Sequence, residues 1–161
     1  MLFLKIYYHI MAIIKKFFYK IIYGKHIKFG KGVTFRKGFS LVIEDDAFVT
    51  IGNGCFFNNY CSINAKEGIN IGNNCLFGEN VKIYDHDHDY KNNLDNFVKK
   101  QIKIGNKVWI GSNSTILKGV GIGNNVVVAE GTTIREYIEN NTLTYQKKHL
   151  VKKNIYNIEE E

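Results

Sequence analysis

A parallel β-solenoid wound in short three-sided coils is the fold class this all-β sequence predicts, and three observations predict it. Ile104, Ile110, Ile116, Ile122, Val128 and Ile134 stand six residues apart without a break. Four positions after the first five of them come Val108, Ser114, Val120, Val126 and Thr132, all small or β-branched. The tripeptide Ile-Gly-Asn begins at Ile51, Ile71, Ile104 and Ile122, and within the unbroken stretch it marks every third unit of six.

A period of six is neither the roughly 3.6 of a helix nor the 2 of a plain strand. It suits a short strand followed by a tight corner, with one large and one small side chain pointing inward on each side. The same code appears upstream at Ile51, Phe57 and Ile63, at Ile71, Phe77 and Ile83, and more loosely at Phe29, Phe35 and Leu41. Gly and Asn tolerate the positive φ that tight corners demand, which is the expected reason for the Ile-Gly-Asn marker. Cys55, Cys61 and Cys75 each lie four residues after an inward residue, in the small slot. They are expected to be core hydrophobes. An odd number with no CxxC pair also argues against a disulfide framework or a zinc ribbon.

At 161 residues, with 45% apolar residues, 15 Gly and no Pro, the chain suits one domain of many short strands. Its expected organisation is a basic amphipathic helix over residues 1–24, a solenoid over 25–135 and a C-terminal extension over 136–161. The net charge of +7 is uneven, because residues 1–43 hold nine Lys or Arg and no acid before Glu44. A basic arm of this kind suits anionic lipid or a phosphorylated substrate, or is a solvated surface; no nucleic-acid partner is expected. The N-terminus has no small-residue cleavage site, and Lys15 and Lys16 interrupt its apolar run, so neither a signal peptide nor a membrane span is expected and the location is cytoplasmic. On a helical projection Lys5, His9, Ala12, Lys16 and Lys20 share one stripe, while Phe3, Ile6, Ile10, Ile13, Phe17 and Ile21 cover much of the rest. Such a helix either lies in a membrane interface, peripheral at its inner face, or caps the core and packs on a neighbouring subunit. The capping role is the preferred expectation.

The step from the third side of one coil to the first of the next is ten residues from Leu41 to Ile51 and eight from Ile63 to Ile71, but 21 from Ile83 to Ile104. One corner therefore carries a long inserted loop, about 85–101, which begins Asp-His-Asp-His-Asp-Tyr. An extruded loop on a rigid scaffold is where function tends to sit.

The repeats from Ile51 to Ile134, the segment VKIYDHDH at 81–88 and VWIGSNSTILKGVGIGNNVVVAEGT at 108–132 together resemble the hexapeptide-repeat acyltransferases, within them the maltose, galactoside and polysaccharide O-acetyltransferases. That resemblance implies a left-handed parallel β-helix, against the usual right-handed crossover, acetyl-CoA as acyl donor without a metal, a sugar or glycan acceptor and a homotrimer. It implies further that His88, five residues past Ile83, is the catalytic base, and that Asn58, after Phe57, binds the acceptor. His86 is either a strand-edge residue or part of the pocket rim, where it joins Asn58 and Asp85 as a candidate to bind the acceptor, and any of Asp85, Asp87 and Asp89 is open as the residue that orients the imidazole or reads the acceptor; a backbone carbonyl serves equally well. The pantetheine arm of CoA is expected around Trp109, Gly111, Ser112, Glu130 and Gly131. Two departures stand out. Glu130 replaces a small residue, and the Thr-Lys-Asp exit whose Lys meets the CoA phosphates is absent, leaving Arg135, Lys147 and Lys148 as candidates. The expected function is acetylation of a sugar hydroxyl in cell-surface polysaccharide synthesis. N-acetylation of a nucleotide-linked amino sugar, a zinc-dependent carbonic-anhydrase-like protein and a non-enzymatic scaffold are the alternatives. A three-histidine zinc site needs a third ligand, and after His88 the next histidine is His149, outside the repeats.

Overall fold

The computed structural model describes residues 2–44 and 46–147 as one helix followed by a three-sided parallel solenoid. The first face stacks β1 (Ile27–Phe29), β4 (Val49–Ile51), β7 (Ile69–Ile71), β12 (Ile102–Ile104) and β15 (Gly121–Ile122). The second stacks β2 (Thr34–Phe35), β5 (Phe56–Phe57), β8 (Leu76–Phe77), β13 (Trp109–Ile110), β16 (Val127–Val128) and β18 (Leu143–Thr144). The third stacks β3 (Ser40–Ile43), β6 (Ser62–Ala65), β9 (Lys82–Tyr84), β14 (Thr115–Ile116) and β17 (Thr133–Ile134). Coiling continues beyond residue 135, since Ile138 bridges to Ile122 and β18 pairs with β16.

The hexad code sets this register. Inward residues stack column upon column, Ile51 on Ile71 and Ile104, Phe57 on Phe77 and Ile110, Ile63 on Ile83. The Phe57 and Phe77 rings are stacked with centroids 4.3 Å apart, an arrangement that adds specific ring contact to apolar burial. All three cysteines are buried and free, as their slot predicts. Burial pushes the Cys61 thiol up to about 11, far from the thiolate that redox or nucleophilic chemistry needs.

The Ile-Gly-Asn corner works differently from the expectation. Positive φ falls on the residue after Asn, namely Gly54, Asn74, Lys107 and Asn125, and not on the Gly or Asn of the marker. The Gly is required because the coils touch there: a Cβ on Gly72 would sit 2.6 Å from the Gly105 carbonyl oxygen of the next coil. The Asn is required because its Oδ1 accepts the main-chain N–H of the coil before. Asn53 accepts from Lys31, Asn73 from Asn53, Asn106 from Asn73, Asn124 from Asn106 and Asn140 from Asn124, at 2.6–2.8 Å. This ladder satisfies a corner amide that the strands leave without a backbone partner.

Helix α1 (Leu2–Tyr23) lies across the open end of the first coil. Ala12 is buried, the Tyr19 hydroxyl donates to Phe39 O and the Tyr23 hydroxyl to Leu41 O, and Lys16 Nζ donates to Val33 O at 3.0 Å. The helix therefore caps the core, but through the stripe that holds Ala12 and Lys16 and not through its apolar face.

Candidate active site

At the end of β9 the chain leaves the solenoid, and the insertion is an antiparallel hairpin, β10 (His86–Asp89) and β11 (Asn93–Lys99). Lys100 N donates to Asp85 O at 2.8 Å and closes its root. Side chains alternate along a strand, so His86 and His88 share one face of β10. Across from them His88 pairs with Phe97, whose ring centroid is 4.5 Å from that of His88 and 5.4 Å from that of His86. Asp87, on the opposite face, forms an ion pair with Lys118. Lys66 grips the hairpin from the preceding coil: its ammonium sits 4.2 Å over the Phe97 ring and pairs with Glu44.

The group that orients His88 is a backbone carbonyl. Its Nδ1 is 2.6 Å from Leu94 O, an atom that only accepts, so Nδ1 carries the proton. In the neutral ring Nε2 then holds the lone pair. His88 is exposed, and a ring held this way is poised to take a proton from a hydroxyl brought to Nε2.

Asp85 does something other than read an acceptor. Its side chain is fully buried, and its oxygens accept the N–H groups of Lys66 (2.8 Å), Glu67 (2.9 Å) and Gly68 (2.7 Å). Oδ1 also lies 3.0 Å from His86 Nδ1. With both oxygens occupied, Asp85 pins the hairpin root and the half-buried His86 to the corner of the coil before. Asn58 sits after β5 on the second face, where its Oδ1 accepts the N–H of Asn59 at 2.9 Å. No hydrogen bond or ring contact described within the chain joins it to His88.

The residues expected to hold the pantetheine arm converge. Trp109, Gly111, Ser112 and Glu130 line a cavity of about 390 Å³ with Val127, Val128, Ala129 and Leu143. Gly111 admits the close coil contact there, since a Cβ on it would sit 2.5 Å from Glu130 N, and Gly131 has φ +62° and donates its N–H to Ser112 O. The largely apolar walls suit an uncharged arm, whereas the carboxylate of the exposed Glu130 disfavours an anion beside it. Arg135 and Lys147 are exposed on the last coil, where Gln146 bonds both main-chain groups of Thr133. Lys148 and His149 lie outside the described residues. Among the described residues no three His, Cys, Asp or Glu side chains are grouped to hold a metal.

The insertion is a hairpin and not the expected loop, and the sequence alone does not single out Leu94, Phe97, Lys66 and Lys118. The Asp-His-Asp-His-Asp alternation was the available signal for a strand.

Residues 101–136 match the family model for the bacterial transferase hexapeptide, six repeats. Over 129 residues the chain is 32% identical to WbbJ of Escherichia coli K12, named as a lipopolysaccharide biosynthesis O-acetyl transferase, covering 73% of this chain and 66% of that one. The chain belongs to the hexapeptide-repeat transferase family. Another member, the galactoside O-acetyltransferase of Lactococcus lactis, is 28% identical over 141 residues, 86% of this chain and 58% of its own length. This chain thus spans between about half and two thirds of the curated relatives named here. Among solved hexapeptide-repeat structures, the acetyltransferase VCA0836 of Vibrio cholerae, complexed with acetyl coenzyme A, superposes with a TM-score of 0.69 at 25% identity, over 78% of this chain and 70% of that one.

Proposed function

We propose that this protein is an acetyl-CoA-dependent O-acetyltransferase that acts on a sugar hydroxyl, with His88 as general base. The observation that carries the reading is the imidazole of His88, fixed through Nδ1 on Leu94 O with Nε2 open, on a hairpin extruded from a hexapeptide-repeat solenoid. The acceptor hydroxyl gives its proton to Nε2 as its oxygen attacks the thioester carbonyl carbon. Collapse of the tetrahedral adduct breaks the C–S bond, and the imidazolium returns the proton to the departing sulfur. The cavity beside Trp109 takes the pantetheine arm, while Arg135 and Lys147 meet the phosphates that Glu130 turns away.

A homotrimer completes the site in this reading. The outward ladder of the second face is Thr34, Phe56, Leu76, Trp109, Val127 and Leu143, in register from coil to coil. The first face instead shows Lys28, Thr50, Asn70, Lys103 and Gly121, and the third Ser62, Lys82, Thr115 and Thr133. Only one outer face is apolar, and it is the face that carries Trp109 and leads to Asn58, away from the hairpin. Packing it against a neighbour removes apolar surface from water and brings Asn58 of one copy toward His88 of the next. Light scattering should give a mass near three times the 18.5 kDa of the chain; a monomer removes this part of the proposal.

The same reading places the protein in the cytoplasm at the inner face of the membrane, acting on a cell-surface polysaccharide precursor. Incubation of a glycan with acetyl-CoA and the protein should produce an acetyl mass shift that mild base removes. A base-stable adduct identifies an amide and the amino-sugar alternative.

A further inference from the structure

Helix α1 is mounted with its apolar side facing out. The residues turned to the solenoid are Tyr8, Met11, Ala12, Lys15, Lys16, Tyr19 and Tyr23, which are all buried or half-buried. On the opposite side Phe3, Leu4, Ile6, Tyr7, Ile10, Ile13, Ile14, Phe17, Phe18, Ile21 and Ile22 are each more than 40% exposed. At about 100° per residue these eleven fill a half-cylinder without a single charge, along about 30 Å of helix. A lone soluble domain rarely leaves an apolar patch of this size in water.

The direction of that face follows from what the other side touches. Tyr19 packs on Phe29 of β1, Lys16 bonds Val33 O just before β2, and Tyr23 bonds Leu41 O in β3. These contacts span all three sides of the first coil, so the apolar half-cylinder points away from the solenoid along its axis. Side-by-side packing of the solenoid faces leaves this end uncovered. Around it lies a ring of cations. Lys20 borders the apolar arc, Lys25 is exposed in the short turn that follows the helix, and Lys28, Lys31 and Lys37 are exposed in the first coil. The Arg36 guanidinium rests 5.5 Å from the Tyr8 ring centroid. No carboxylate precedes Glu44.

We propose that α1 is an in-plane membrane anchor, seated by its apolar half-cylinder in the interface of an anionic bilayer while the ring of Lys and Arg meets the headgroups. Charge complementarity selects this occupant, because a second copy of the same end would bring two basic rings together. No described helix is long and apolar enough to cross a membrane, so the helix lies on the bilayer and the solenoid stands upright on it. That the acceptor is then presented at the same surface rests on the function proposed above; the anchor itself does not.

The test is co-sedimentation of the full chain with vesicles. Vesicles of phosphatidylcholine with about 30% phosphatidylglycerol should bind it at least about tenfold more strongly than phosphatidylcholine alone, and roughly 0.5 M salt should weaken that preference. Ile10 and Phe17 are 51% and 62% exposed and belong neither to the buried core nor to the half-buried aromatics packed on it, so the double variant I10E/F17E should fold normally, yet bind about tenfold less or worse. Failure to bind the anionic vesicles, or equal binding by the variant, overturns the anchor. So does a change in mass by light scattering when the variant is made, which assigns the face to a second copy. Vesicle binding without acetyl transfer to any soluble sugar leaves the anchor standing and counts against the catalytic reading instead.

Discussion

Replacing His88 with alanine is expected to lower acetyl transfer by about 10²-fold or more while the melting temperature moves by no more than about 2 °C. The separation follows from where the ring sits. It is exposed on β10, its one hydrogen bond goes to the Leu94 carbonyl, and its ring contact is with Phe97. Truncation leaves that carbonyl free to bond water, so stability changes little. What disappears is the only described imidazole with Nδ1 tied to a carbonyl on the extruded hairpin, and with it the acceptor for the hydroxyl proton. Acceptor-dependent release of CoA thiol and thermal melting, measured on the same preparation, check both halves. Full activity in the variant removes His88 from the mechanism.

Asp85 should show the opposite balance. Asp85→Ala strips the N–H groups of Lys66, Glu67 and Gly68 of their acceptor. The Gly68 N–H is buried and that of Lys66 half-buried, while the N–H of exposed Glu67 can turn to water; a buried donor left unpaired costs about 1–3 kcal/mol, and losing the buried carboxylate's own desolvation offsets part of it. A net loss of about 3 kcal/mol, or a fall of about 10 °C in melting temperature, is expected. Activity should also fall, because β10 begins at the next residue and the hairpin carrying His88 loses its anchor. If the variant melts like the wild type, Asp85 does not hold the root.

The unbroken spacing from Ile104 to Ile134 made the solenoid legible, because a period of six admits one large and one small inward residue per side and little else. The same spacing placed the three cysteines inside and located the insertion between Ile83 and Ile104. The chemistry of that insertion was less legible. His88 was reached through resemblance and position, but its tautomer depends on Leu94, six residues away across a hairpin whose bulge between His88 and Asp89 no local pattern shows. Asp85 looked like one of three equivalent acids, since composition does not reveal that three amides from the preceding coil converge on it. Helix α1 shows the same limit. Its projection separates Lys16 from Ile10, but which side meets the core is decided by the first coil, whose Val33, Phe39 and Leu41 carbonyls accept from Lys16, Tyr19 and Tyr23. The Ile-Gly-Asn marker was found for the wrong reason. Contact between stacked coils, which no single hexad displays, is what requires its glycine and asparagine.

Acceptor-dependent release of CoA thiol from acetyl-CoA, across a panel of sugars, tests the central claim most directly. The buried cysteines of the protein leave the reading clean. At least one sugar should raise thiol release well above the acceptor-free rate with wild-type protein and not with H88A. Release that no sugar raises, or that H88A supports equally, would contradict an acetyltransferase built on His88.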